Sequence, residues 1–288
     1  MNRFTSNLIR ALAISTIATC AARADVTTTL SKGKLKITGD ATGRVIDLKG
    51  AGFGALTMTV DGVPAGDFLG VRDIDVKCGS GDDTLNVLAI QIGGNLRAKM
   101  GDGNDIVLLA ATDSPTGKPL VLCGKVDVDL GGDAADAIGI APIATNSVYL
   151  MSDVTIRGAP FIGIDGGGSS PTLEASDIVI GGKLRITRAG GDPGQIELTK
   201  FDDVLIGGET KLEFGNAKDE LLITQSQFAR KVTMRLRGGD DTVDFQNDAT
   251  KFDGPVSVIG GSGFDSLVNT AGCEFAAAFA FPPMEFVP

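Results

Sequence analysis

Gly79-Ser80-Gly81-Asp82-Asp83-Thr84-Leu85 returns 22 residues later as Gly101-Asp102-Gly103-Asn104-Asp105-Ile106-Val107. It returns again as Arg237-Gly238-Gly239-Asp240-Asp241-Thr242-Val243 and as Gly261-Ser262-Gly263-Phe264-Asp265-Ser266-Leu267. Degenerate copies start near Gly131, Gly166, Gly190 and Gly215. Gly supplies positive φ and Asp bonds its own backbone, so each copy reads as a tight turn. The interval is 22 from Asp83 to Asp105 and from Asp219 to Asp241, and 24 from Asp241 to Asp265. In mid-chain it stretches to 30 between Gly101 and Gly131 and to 35 between Gly131 and Gly166.

The flanks of the turns set the fold. Leu96, Ala98 and Met100 alternate before Gly101, as do Val126, Val128 and Leu130 before Gly131. Val232, Met234 and Leu236, then Val256 and Val258, repeat the pattern. Alternation with period two marks a half-buried strand. A second short strand follows the turn (Leu85-Asn86-Val87, Val243-Asp244-Phe245), and a third ends in Gly (Ile178-Val179-Ile180-Gly181, Val204-Leu205-Ile206-Gly207). A unit of three short strands cannot bury its apolar face alone. Stacked on its neighbours at ~4.8 Å, each strand pairs above and below and the inward residues merge into one core. The expected fold is all-β: a three-faced parallel β-helix with coils of 22–24 residues and longer coils in mid-chain. Its expected hand is right, the rule for parallel crossovers. An antiparallel sandwich needs short strands and turns too, but no fixed long period.

Composition fits this reading. The chain has 288 residues, 40 Gly, 29 Asp against only 7 Glu, and neither His nor Trp. Without His, Ser-His and Cys-His nucleophile systems and His-ligated zinc are excluded. Residues 1–24 read as a signal peptide: Arg3 and Arg10, an apolar stretch from Ala11 to Ala22, and Ala22-Arg23-Ala24 before Asp25. A lipoprotein joined through Cys20 is the minor alternative. Cleavage removes three Arg and takes the net charge from −10 to −13, which repels nucleic acid. No other stretch is apolar enough to span a membrane. The expected location is extracytoplasmic: secreted, periplasmic or on the cell surface. Residues 25–270 form the β-helix domain, its first strands (Leu35 to Asp40, Val45 to Leu48, Leu56 to Val60) acting as a capping coil or hairpin, and 271–288 form a C-terminal cap or tail. Cys78, Cys123 and Cys273 remain after cleavage, and their spacing fixes no disulfide.

Two resemblances attach to the turns. Gly260-Gly261-Ser262-Gly263-Phe264-Asp265-Ser266-Leu267 resembles the calcium-binding nonapeptide GGxGxDxUx of RTX-type exported proteins. The resemblance implies Ca²⁺ held by turn Asp and backbone carbonyls, with Asp83, Asp105, Asp241 and Asp265 as metal ligands and Asp82, Asp102 and Asp240 as outer charges. The period departs from that family, whose copies recur every nine residues or so. The span from Lys32 to Asn269, with its KLKITGD opening and GxGDDT turns, resembles Gly-Asp-rich exported bacterial β-strand repeat proteins of the planctomycete type. That implies an extracytoplasmic solenoid.

Three functions follow as expectations. The first is a structural or adhesive surface protein, stabilised by calcium, whose partner is a cell-surface polymer or another envelope protein. The second is calcium binding as such. The third is a polysaccharide lyase or hydrolase on a β-helix scaffold, for which Arg185, Arg188 and Lys200 lie near Asp192, Asp202 and Asp203. One Tyr, Tyr149, and no Trp leave little for sugar stacking, and no catalytic residue is assigned. The long mid-chain loops, 113–118 and 133–146, and the turn-rich 166–171, are the places where a solenoid carries binding.

Overall fold

The structure is a computed structural model that describes residues 26–111, 119–133, 135–141, 148–158, 161–165, 178–188, 196–245, 250–268, 272–277, 279–280 and 285–286. Residues 1–24, read as a signal peptide and including Cys20, together with Asp192, the loop 113–118, most of 133–146 and the stretch 166–171, lie outside the described residues.

The fold is an all-β solenoid whose described residues form three sheets, here called A, B and C, with 11, 12 and 8 strands. One coil shows the path. Leu96–Lys99 lies in sheet A, Ile106–Ala110 in B and Leu120–Leu122 in C, and Val126–Asp129 then returns to A one level up. Successive coils pair in parallel register: Leu96 opposite Val126, Ile106 opposite Ala137, Leu120 opposite Val148. The interval between turns grows in mid-chain because three B-to-C connections lengthen there, after Ala110, Ala141 and Asp165.

Alternation explains which side chains form the core. In sheet A, Val126 and Val128 are buried while Asp127 and Asp129 face out. The residue after several A strands points inward as well, giving Cys78, Met100, Leu130 and Phe214, and Leu236 takes the same position within the longer strand Val232–Gly238. Each fully buried aliphatic residue contributes about 1.5–3 kcal/mol, and no coil collects this alone. Near the C-terminal end the core turns aromatic. Phe228, Phe252 and Phe275 stack at 4.9 and 5.1 Å between ring centroids, and Phe245 meets Phe252 edge-on at 5.6 Å.

The ends differ from the middle. Thr27–Ser31 pairs antiparallel with Lys34–Thr38, and Val45–Gly52, Ala55–Val60 and Val63–Leu69 form an antiparallel meander. Pro64 and a register shift at Met58/Thr59 interrupt that outer edge, which discourages further pairing. At the other end, the 271–288 segment adds one short strand to each sheet. Glu274–Phe275 joins C, Phe279–Ala280 joins A and Glu285–Phe286 joins B, all parallel to the preceding coil. Their backbone partners continue the register of Lys251, Val256 and Ser266.

Candidate functional site: a buried aspartate column

Where sheet A hands over to sheet B, each Gly-Asp turn puts one carboxyl inside the wall. Asp83, Asp105, Asp136, Asp219, Asp241 and Asp265 are at most 4% exposed. The register stacks them. Ile106 pairs with Thr84 on one side and Ala137 on the other, so the preceding Asp83, Asp105 and Asp136 form one run. Glu197 stands opposite Asp219, which continues through Asp241 to Asp265.

Asp83, Asp105, Asp136, Asp241 and Asp265 each reach down to an amide one coil below. The backbone N–H of Arg44 donates to Asp83 Oδ1 at 2.9 Å, that of Asp83 to Asp105 at 2.8 Å, and that of Asp105 to Asp136 at 2.9 Å. The second run repeats it: Asp219 N–H to Asp241 at 2.8 Å, Asp241 N–H to Asp265 at 3.3 Å. The exposed Asp of the turn does the reverse. Asp82 accepts from the N–H of Asn104 one coil up at 2.8 Å, and Asp240 accepts from Phe264 at 2.9 Å. The turns of Asp83 and Asp105, and those of Asp241 and Asp265, are thus joined by two bonds of opposite direction, whereas the exposed Asp133 accepts from the Gly103 N–H below it at 2.8 Å. The glycines allow the close approach. At Gly101, φ is +117° and an added Cβ would overlap the carbonyl oxygen of Gly79 beneath it.

The second oxygen of the column has no such partner. Oδ2 of Asp83, Asp105, Asp136, Asp219 and Asp241 is buried without a hydrogen bond. An ionised carboxylate in that setting loses solvation that one N–H bond does not replace, and its neighbours in the column carry the same charge. Burial, then, pushes Asp105 and Asp136 up to about 6 and Asp241 up to about 7, and raises Asp83.

One cation enters the wall. Arg188 follows the sheet A strand Leu184–Thr187 and takes the inward position that other coils give to Met100, Leu130 or Phe214. It is 2% exposed. Its guanidinium donates to Asp219 Oδ1 at 3.0 Å, to Glu197 Oε2 at 3.5 Å, to the Leu198 carbonyl at 2.8 Å and to Thr199 Oγ1, and lies 5.0 Å from the Phe214 ring centroid. Burial raises Glu197 and pushes Asp219 up to about 8 even against this cation.

The four residues expected to bind calcium, Asp83, Asp105, Asp241 and Asp265, therefore lie in this column, in two adjacent pairs. They face the inside of the corner and hold amides of the coil below. The exposed ridge carries Asp82, Asp102 and Asp240 instead. Among the described residues no three His, Cys, Asp or Glu side chains converge on one point. The basic residues considered for lyase chemistry are also engaged: Arg185 with Glu213 at 3.1 Å, Lys200 with Asp202 at 3.2 Å, and Arg188 inside the core. Asp136 and Glu197 escaped the sequence reading because irregular spacing hides their register. Arg188 was legible as an inward residue, since it continues the alternation of Leu184 and Ile186. The three described cysteines are free thiols.

No described helix is long and apolar enough to cross a membrane. A scan of the chain against protein-family models finds no match, and neither the curated proteins nor the solved structures give one.

Proposed function

We propose that this protein is an exported structural or adhesive β-solenoid of a bacterial envelope, related in kind to Gly-Asp-rich β-strand repeat proteins, and that it presents a stiff surface to a cell-surface polymer or another envelope protein. The observation that carries the reading is how the chain uses its charges. On the outer face of sheet A, several cations and anions of neighbouring coils pair across the strands. Lys34 meets Asp75 at 2.6 Å, Arg157 meets Asp127 at 2.6 Å, and Lys183 meets Glu209 at 3.0 Å. Glu213 collects Lys211, Arg185 and Arg235, and Lys211 first, then Arg185, holds its carboxyl down to about 2. Exposed single pairs contribute little each, typically 0–1 kcal/mol, but the cluster around Glu213 ties three neighbouring coils together. These pairs and the buried column tie those charged groups to one another. The export pattern at residues 1–24 and the net charge of −10 agree with an extracytoplasmic scaffold.

Expression in a bacterial host with fractionation and intact mass tests it. The expected result is a chain starting at Asp25 in the extracytoplasmic fraction, bound by isolated envelope polymers and inert on pectins and glucans. An uncleaved cytoplasmic chain, or turnover of a polysaccharide lost on replacing Arg185 or Lys200, overturns it.

A further inference from the structure

We propose that the outer face of sheet A in the first coils is a docking surface for a polyanion, a carboxylated polysaccharide laid along the rod. The proposal rests on the reading of the protein as an envelope scaffold and gives its partner a chemistry and a place. Lys34, Lys36, Arg72, Lys77, Arg97 and Lys99 are all exposed there. Register gathers them: Lys36, Asp75 and Arg97 form one outward row, and Lys77 and Lys99 are direct neighbours in the next. These cations face only Asp73 and Asp75 within the patch, on a chain whose net charge is −10. Asp75 is taken by Lys34 at 2.6 Å, Asp73 by Arg72 at 2.7 Å, and Arg97 leans to Asp127 at 3.8 Å. Asp129, next in register to Lys99, meets Arg157 at 3.7 Å instead. Lys36, Lys77 and Lys99 form no ion pair among the described residues.

Like charges in directly adjacent strand positions destabilise a sheet. Another such step on this face, Arg185 beside Lys211, is relieved by Glu213, which meets them at 3.1 and 2.8 Å. Lys77 and Lys99 have no such acid between them. Nor do they guard an edge, since strands Asp73–Lys77 and Leu96–Lys99 lie inside the sheet with neighbours on both sides. The solenoid thus keeps a repulsion that its folding does not need. The shape of the face selects the kind of anion. Two clefts of about 430 and 320 Å³ share Lys34 and Asp75, and a third of about 220 Å³ is lined by Lys77 and Lys99. All three are open to solvent, so the face suits a chain lying across it better than an enclosed small ion. Its cations recur at ~4.8 Å from coil to coil and at roughly 6–7 Å along a strand. A sugar chain with one carboxylate per residue offers anions at comparable intervals. A second copy of the protein is a poor occupant, because two chains of net charge −10 repel. The same repulsion disfavours a nucleic acid or a polyphosphate, most of whose dense charge would lie outside the patch.

The test is calorimetric binding of the full mature chain to polygalacturonate at low and at high salt, beside neutral dextran and inorganic polyphosphate. The parent should bind polygalacturonate, lose the binding in high salt, and ignore dextran. Lys77→Gln with Lys99→Gln should weaken binding roughly thirtyfold. Lys77→Arg with Lys99→Arg should keep it, and Lys231→Gln, exposed on a distant coil, should leave it unchanged. The Gln pair should melt no lower than the parent, since it removes a repulsion. A parent that ignores polygalacturonate, prefers polyphosphate, or binds equally well with the Gln pair overturns the proposal. So does a Gln pair that melts several degrees lower, which would make the lysines structural, or a parent dimer that the Gln pair dissociates. Binding to isolated envelope polymers is measured in parallel. Envelope binding that survives the Gln pair sinks the docking surface alone. A parent that binds polygalacturonate through these lysines but no envelope polymer overturns the envelope reading and leaves the surface in place.

Discussion

Replacing Arg188 by Met asks whether the one cation buried among the described residues holds the C-terminal half of the column. Met fits the inward position, where Met100 already serves an equivalent coil, so packing changes little. What is lost is the cation between two buried acids, at 3.0 Å from Asp219 and 3.5 Å from Glu197, with the bonds to Leu198 and Thr199. Removing one partner of a buried pair costs about 3–5 kcal/mol. At about 2–4 °C per kcal/mol for a chain of this size class, the melting temperature should fall by roughly 6–20 °C at pH 8. The loss should be smaller at pH 5. At pH 5 Asp219, raised to about 8, is neutral in parent and variant alike, so the variant loses mainly hydrogen bonds; towards pH 8 it begins to ionise beside Arg188 in the parent but not in the variant, and the loss grows. Adding Glu197→Gln and Asp219→Asn to Arg188→Met should recover most of the loss at pH 8. Calorimetric melts at the two pH values, with the triple variant beside the single one, decide it. A single variant that melts within a degree of the parent at pH 8, or loses equal stability at both pH values, refutes the reasoning.

Four further outcomes are expected. Met234→Asp, or Val128→Asp, places an unpaired charge in a fully buried column and should abolish the cooperative far-UV transition. Phe252→Ala removes the middle ring of the Phe228–Phe252–Phe275 stack and should cost about 3–5 kcal/mol by denaturant titration. Gly101→Ala sets a side chain at φ +117° against the Gly79 carbonyl and should lower stability by several times the ~1 kcal/mol of an ordinary Gly replacement in a strand. In the native protein at pH 8, Cys123 should react with a thiol reagent first. Cys78 and Cys273, which burial pushes up to about 12, should react only on unfolding, as mass mapping of the labelled peptides would show.

Several features were readable because they depend on local pattern. The inward residues Leu96, Ala98 and Met100 and their counterparts at Val232, Met234 and Leu236 follow from alternation, and all are buried. The sheet C strands Ile178–Ile180 and Val204–Ile206 stand where apolar runs ending in Gly place them. The role of the turn Asp was harder to see. In the sequence, Asp82-Asp83 and Asp240-Asp241 are pairs of equal residues. In the fold, Asp82 and Asp240 are exposed and accept from the coil above, while Asp83 and Asp241 are buried and accept from the amides of Arg44 and Asp219 below. Neighbouring residues on a strand-like turn face opposite sides, and only the path of the coil says which side is the core.

The sequence by itself determined the architecture, because a period of 22 to 24 residues with alternating strands leaves each coil unable to bury its apolar face except against a copy of itself. It also determined the turn chemistry, since the GxGxD pattern fixes both positive φ and a local acceptor. Only the tertiary structure decided what the acids do. Asp136 and Glu197 join the column through register across coils of unequal length, and Arg188 meets Asp219 across 31 residues of chain. Whether such a carboxyl is a ligand, a surface charge or a neutral hydrogen-bonding group depends on its burial and on which amide lies beneath it. Those are properties of stacked coils and not of any one turn.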